Sequence, residues 1–438
     1  PKSRFFSYVT ELIIEQILAV AVGMVDTIMV STVGEAAISG VSLVDTIGIL
    51  LISLFSALAT GGSVVAAQYL GGKNRDQANK SAKQLLLTVL GLSTILALIA
   101  IIGNKAILHL IFGDVEAAVM GNARTYFYIT ALSYPFLAVY NGCAALFRVM
   151  GNSKISMRVS LIMNSINIVG NAFCLYVLHM GVAGVAIPTL VSRIVAAIIM
   201  MVLLANKDNP IYIDNYIRIR FDWKMVKRIL KIGIPNGLEN SMFQTGKILV
   251  QGVVASFGTT AITANAVAGN ISALETIPGA AIGLSMITVV GRCIGAKKFD
   301  EAKHYTVKLM KVAYLIMIGL NIVVIFLISP ILSIYTLTPE TKELATQLAI
   351  LHSIFAMLIW PTSFALPNAL RAANDVRFTM TISIISMWTF RILLSYILAI
   401  YFQLGVIGVW IAMIVDWLFR SILFVTRMAS GKWKKHAF

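Results

Sequence analysis

"QYLGGKNRDQA" at residues 68–78 returns 224 residues later as "RCIGAKKFDEA" at 292–302. Three further pairs keep the same order. "VGEAAISG" (33–40) meets "FGTTAITA" (257–264), and "GVAGVA" (181–186) meets "GVIGVW" (405–410), both at an offset of 224. "ALFRVMGNSKISM" (145–157) meets "NALRAANDVRFTM" (368–380) at 223. Matches in order at one nearly constant spacing describe a chain written twice.

What is written twice is a membrane domain. Of 438 residues 58% are hydrophobic and only 12% are charged, more apolar surface than a soluble core of this length can hide. Apolar segments fall near 6–32, 38–70, 82–112, 118–150, 155–178, 182–205, 229–256, 261–293, 304–336, 342–372, 377–402 and 406–428. Each is long enough to span a bilayer, and those near thirty residues must tilt, bend or project beyond it. Lys2 and Arg4 run straight into the first of them with no cleavable leader, and starting at Pro1 the chain is expected to lack residues upstream. Cys143, Cys174 and Cys293 show no metal-type spacing and read as small apolar residues. No zinc pattern, nucleophile–base pair or phosphate loop is present, which disfavours an enzyme.

The charge of +16 is a matter of position. Of 35 Lys and Arg, 28 lie at the N-terminus, at 73–83, 148–158, 207–231, 292–311 and 371–377, and in the C-terminal tail. Five lie within helices, and only Lys105 and Lys342 fall in the opposite set of loops. Under the positive-inside rule both termini are cytoplasmic, and the alternation requires an even number of spans. The basic excess sets orientation and lipid contact, so nucleic acid is not an expected partner. The fold expected is all-α and integral to the membrane, with 12 transmembrane helices in two pseudo-symmetric six-helix lobes. The lobes are placed at 1–205 and 225–438, joined by a basic cytoplasmic linker at 206–224. An even repeat relates the lobes by an axis along the membrane normal, and such proteins rock between two openings around a site at the repeat interface.

Within the first span, "VGMVDTIMVSTVG" (22–34) places one carboxylate, Asp26, in an apolar run. A charge near mid-bilayer costs roughly 2.5 kcal/mol or more, so it marks a functional site with a partner to be named. Asn171 in span 5 and Thr189 in span 6 lie at matching depth, and Asn164, Asn167 and Asn171 follow i, i+3, i+7 on one face. A carboxylate, amide oxygens and a hydroxyl make a hard-oxygen pocket for Na⁺, and the same carboxylate can instead carry H⁺. The alternative for the asparagines is that they only glue helices together. Asp45 matches Asp26 in depth and either joins this site or faces the outer vestibule. Glu11 and Glu15 share the stripe of Asp26, and Arg193 at the depth of Glu15 is expected to pair with it.

The second copy differs. Asn240, Gln244, Lys247 and Gln251 form a polar stripe on span 7, with Glu239 beside it as the repeat partner of Glu15. Arg391 falls on the repeat position of Asn167 and Asp416 on that of Ser192. Lys247, Arg391, Asp416 and the deeper Glu275 read as one nearly neutral charge network, structural first and a relay in the alternative. His352 reads as a hydrogen-bonded packing residue. Glu239, Gln244, Lys247 and Glu275 are further candidates for cation or substrate contact.

The chain resembles the multidrug and toxic compound extrusion (MATE) transporters over essentially its full length. The resemblance rests on "GMVDTIMVSTVG" (23–34), "ATGGSVVAAQYLGGK" (59–73), the pair "LFRVMGNSK" (146–154) and "LRAANDVR" (370–377), and "GVAGVAIPTLVSR" (181–193). It implies export of organic cations and other amphipathic compounds, driven by Na⁺ or H⁺ moving inward. It also implies an acid at Asp26, an asparagine at Asn167 and a hydroxyl at Thr189. One branch has a second carboxylate where this chain has Asn171, and one places acids in spans 7 and 10, where Phe243 and Trp360 stand here. Glu239, one turn from Phe243, is the nearest substitute.

The reading is therefore a cation-coupled (Na⁺ or H⁺) antiporter working by alternating access. Its rivals are a flippase of lipid-linked sugars from the same superfamily, and an uncoupled channel or sensor. No cofactor beyond the coupling ion is expected. The partners expected are a small amphipathic or cationic substrate and the lipid bilayer, for a monomer that is multi-pass in the plasma membrane.

Overall fold

The computed structural model describes residues 2–71, 73–150, 152–295, 297–373 and 375–436. Among them every regular element is helical. The first copy comprises α1 (Lys2–Ser31), α2 (Glu35–Gly71), α3 (Arg75–Ile102), α4 (Asn104–Phe112), α5 (Ala117–Leu132), α6 (Tyr134–Val149), α7 (Ser153–Ala172) and α8 (Ala183–Leu204). The second begins with α9 (Trp223–Ala255), α10 (Thr259–Gly295), α11 (Phe299–Ser333) and α12 (Pro339–Trp360). It closes with α13 (Leu366–Ala372), α14 (Val376–Ser386), α15 (Leu394–Tyr396) and α16 (Val406–Ser430). Among the described residues eight spans are long and apolar enough to cross a membrane, and α5 with α6, bent by 47°, forms a ninth. With α1, α9 and α10 these are the twelve segments laid out by the sequence. Large apolar side chains stand exposed on these spans, as at Ile102, Leu315 and Phe326, 85%, 74% and 81% exposed.

The repeat is visible in the backbone. Positive φ recurs at positions 224 apart: Gly34 and Gly258, Lys73 and Lys297, His179 and Gln403, Gly181 and Gly405. Gly181 and Gly405 start α8 and α16 from the left-handed region, where a side chain would be strained. Asp76 opens α3 as Asp300 and Glu301 open α11, acids at the positive end of the helix dipole. Wide π turns follow the same spacing, Phe173–Val177 and Ile397–Tyr401. Two further π turns, Pro361–Ala365 and Met387–Leu393, stand only in the second copy among the described residues. The repeat offset grows from 223 at 157/380 to 224 at 181/405, so one extra residue enters there. A π turn is how a helix takes in one extra residue without breaking.

The chain divides into two compact units, Ala21–Gln244 and Pro1–Val20 with Thr245–Phe438. The division falls inside α1 and α9 rather than in the linker at 206–224. In the first unit the opening half of α9 packs on α2, and a Cβ on Gly61 would lie 2.8 Å from the backbone nitrogen of Gly233. Gly40 approaches Ala123 on α5 equally closely. Such small-residue seams suit a medium in which lipid offers apolar contacts as good as protein does.

The linker is strapped to its own unit. The Arg75 guanidinium donates to the carbonyls of Lys207 (2.7 Å), Asn209 (2.6 Å) and Pro210 (3.1 Å). Ile211 and Ile213 are fully buried, and the Gln84 amide donates to the Arg220 carbonyl (2.5 Å) while accepting from the Asp222 N–H (3.0 Å). Lys80 meets Asp222 at 2.7 Å, and that hydrogen bond holds the Asp222 carboxyl below its usual 3.8.

Candidate functional site

Asp26 sits in α1 with two amides over its carboxylate. Asn171 Nδ2 donates to Oδ1 at 2.7 Å and Asn167 Nδ2 to Oδ2 at 3.5 Å. The i, i+4 spacing of the asparagines on α7 sets both against one acid. Their own oxygens, Oδ1 of Asn167 and of Asn171, are buried with no hydrogen-bond partner. A buried acceptor left unsatisfied costs about 1–3 kcal/mol. With the amide N–H groups on the carboxylate, the two amide oxygens are unengaged, and carboxylate and amide oxygens are the donor types a hard monovalent cation uses.

Thr189 is buried on α8, but its hydroxyl donates to the Val185 carbonyl at 3.0 Å, within its own helix. As a hydrogen donor it is committed there and not to Asp26. Asn164 is half-buried and makes no side-chain hydrogen bond among the described residues. Asp45 on α2 accepts from the Tyr126 hydroxyl of α5 at 3.0 Å and is otherwise exposed. Arg193 donates to Ser133 Oγ at 2.6 Å and has Asp45, Tyr126 and Tyr134 as electrostatic neighbours. Its expected partner Glu15 lies outside the described side chains. Tyr126 was missed because one tyrosine in an apolar helix gives no signal in the sequence.

In the second unit the single network expected of Lys247, Arg391, Asp416 and Glu275 separates into two. Asp416 is fully buried, and its Oδ1 accepts from Arg420 Nε, one turn on in α16, at 3.0 Å. Ser386 Oγ makes a short hydrogen bond to the same oxygen, and Arg420 also donates to the Ser383 carbonyl at 3.2 Å. Arg391 is an electrostatic neighbour of both Asp416 and Arg420, and Lys247, exposed on α9, has Arg391 and Arg420 as neighbours. The direct partner of Asp416 is Arg420, which the i, i+4 spacing could have indicated. Glu275 belongs elsewhere: it accepts from Ser353 Oγ at 2.8 Å and faces His352 Nδ1 at 3.0 Å. Glu239 lies outside the described side chains. Gln244 is half-buried with no side-chain hydrogen bond among the described residues, and Gln251 accepts from Asn265 at 3.2 Å.

A duplicated helical membrane fold with unpaired acceptors around a half-buried acid is the architecture of a secondary transporter, not of an enzyme. The comparisons with known proteins narrow this. The MatE family model matches the chain twice, at residues 12–173 and 235–397, offset by 223 to 224 residues like the repeat itself. The chain belongs to the MatE family of transporters. It is 27% identical over 434 residues to the uncharacterized transporter YisQ of Bacillus subtilis, covering 98% of this chain and 94% of that one. It is 26% identical to the probable multidrug resistance protein NorM of Thermotoga maritima, covering 97% and 91%. A solved multidrug resistance MATE family transporter of the MOP superfamily, in its inward-facing conformation, shares the fold with a TM-score of 0.83 at 19% identity, covering 96% of each chain.

Proposed function

We propose that this protein is a cation-coupled antiporter that exports amphipathic, cationic organic compounds by alternating access, with Asp26 binding the coupling ion. One observation carries the reading: among the described residues the Asp26 carboxylate is held by amides alone, and those amides keep buried oxygens without partners. With Asp45 and Arg193 nearby, the group of two acids and one base is short of one positive charge, which one Na⁺ or one H⁺ supplies. Na⁺ would use the two carboxylate and two amide oxygens; H⁺ needs the carboxylate only. The similarity to a probable multidrug resistance protein supports the substrate class, and the basic loops support a multi-pass plasma-membrane protein with both termini in the cytoplasm. Coupling follows if ion and substrate favour opposite openings, since a ligand shifts only an equilibrium it distinguishes.

The test is efflux of a fluorescent organic cation from vesicles under an imposed Na⁺ gradient and, separately, a pH gradient. Asp26→Asn is expected to abolish gradient-driven efflux while the protein keeps its helical circular dichroism. Full efflux in that variant overturns the assignment.

A further inference from the structure

The second unit encloses a cluster that this coupling scheme does not use. Glu275 lies in the middle of α10 at 0% exposure, with His352 and Ser353 of α12 at 3% and 1%. The carboxylate binds both, Oε1 to the Ser353 hydroxyl at 2.8 Å and Oε2 to His352 Nδ1 at 3.0 Å. The imidazole stands edge-on between Trp410 and Trp417, with ring centroids 5.9 and 5.1 Å away. The indole N–H of Trp410 is engaged by Asn265 at 2.8 Å, and that of Trp417 is buried without a partner.

At 3.0 Å a carboxylate oxygen and an imidazole nitrogen share a proton, because two lone pairs face to face repel. With that proton alone the cluster carries one negative charge. A second proton on the imidazole makes it neutral, and the two compositions differ by that proton only. Charge buried without compensation costs several kcal/mol, so the second proton matters energetically.

Among the described residues no charged side chain other than His352 forms an ion pair with Glu275. On α11 the mid-span residue is Asn321, whose Nδ2 donates to the Met317 carbonyl and whose Oδ1 is unpartnered, and the charged groups, Asp300 to Lys311, lie in the first half. On α12, Glu340, Lys342 and Glu343 stand nine or more residues before His352. Asp416 of α16 is tied to Arg420 and Ser386, and Lys247 of α9 neighbours Arg391 and Arg420. The π turn Pro361–Ala365 carries no charge, and Arg371 of α13 lies outside the described side chains. A hard metal ion fits poorly, since both carboxylate oxygens are engaged and nitrogen and indole edges make the walls.

We propose that Glu275 and His352 form a one-proton site enclosed in the second unit, separate from Asp26, whose filling adds its own pH dependence to transport. Its transport readout rests on the exporter reading above; its titration does not.

The experiment follows ¹⁵N-histidine signals of the protein in nanodiscs from about pH 5 to 9. The chain has only five histidines, so the signal lost in His352→Gln identifies His352. That signal is expected to respond to pH within the range, to respond differently in Glu275→Gln, and to be unchanged in Asp26→Asn. In vesicles, Glu275→Gln and His352→Gln are each expected to flatten the pH profile of efflux while the fluorescent cation still binds. If Glu275→Gln does not fold, Ser353→Ala replaces it in the titration, where the His352 signal is expected to respond differently from the parent, and His352→Gln alone carries the efflux test. A His352 signal that stays in one state across the range, or an unaltered efflux profile, overturns the proposal. Retained gradient-driven efflux in Asp26→Asn would overturn the coupling role of Asp26 and leave this titration standing.

Discussion

In the unit Ala21–Gln244 the Asp26 carboxylate meets two neutral amides, whereas in the unit built around Thr245–Phe438 the Asp416 carboxylate meets a guanidinium and Glu275 an imidazole. Neutral amides hold an acid in place without cancelling its charge, which on the proposed reading a mobile ion does. A built-in arginine cancels it permanently. The two halves descend from one repeated pattern, yet Arg391 stands where the first copy has Asn167, and Asp416 stands where it has Ser192. Asp416 too has a buried oxygen, Oδ2, without a partner, so it is the fixed guanidinium and not an open acceptor that sets the second copy's acid apart. Burial depth alone would not make that distinction.

The comparison breaks most sharply at Arg420. Arg420→Met removes the partner of a fully buried acid and is expected to cost about 3–5 kcal/mol, read as a lowered unfolding temperature in detergent. If that variant is as stable as the parent, Asp416 is not a structural acid. A middling effect is expected at the amides. Asn171→Ala, which loses the 2.7 Å bond, should raise the ion concentration for half-maximal efflux by about tenfold, or roughly 1.4 kcal/mol, and Asn167→Ala, at 3.5 Å, by less. The reverse order would mean that Asn167 is the principal ligand. Tyr126→Phe should change ion dependence only a few-fold, because Asp45 is exposed and water replaces the lost hydroxyl.

The smallest effect is expected at the strap. The Lys80 hydrogen bond depresses the Asp222 carboxyl in the folded protein, so its contribution is present above the usual 3.8 and is lost as pH falls through the depressed value. A nitroxide on Asn215 should therefore gain mobility only in strong acid. Asp222→Asn should show a trace of that gain at neutral pH, since an exposed ion pair contributes little.

Much of this was legible in the sequence because helices and repeats have a period. Hydropathy gave the spans, the 224-residue echo gave the duplication, and i, i+4 placed Asn167 and Asn171 together over the acid. Glu275 and His352 were legible singly but not as a pair, since 77 residues separate them and nothing in an apolar helix says which neighbour it faces. The Asp416–Arg420 pair was written at one-turn spacing and passed over in favour of a wider network. Thr189 matched in depth, but depth does not say where a hydroxyl points, and a helical threonine has its own carbonyl one turn back as a competing acceptor.

The π turn at Met387–Leu393 records how the copies came to differ. One inserted residue rotates everything beyond it by about 100° around a regular helix, which would swing the far end of that span away from its neighbours. The widened turn absorbs the rotation locally, so His179 and Gln403, and Gly181 and Gly405, still adopt the same backbone beyond it. Within that loop of slack sits Arg391, a side chain whose bearing was free to drift while the surrounding scaffold kept its ancestral register.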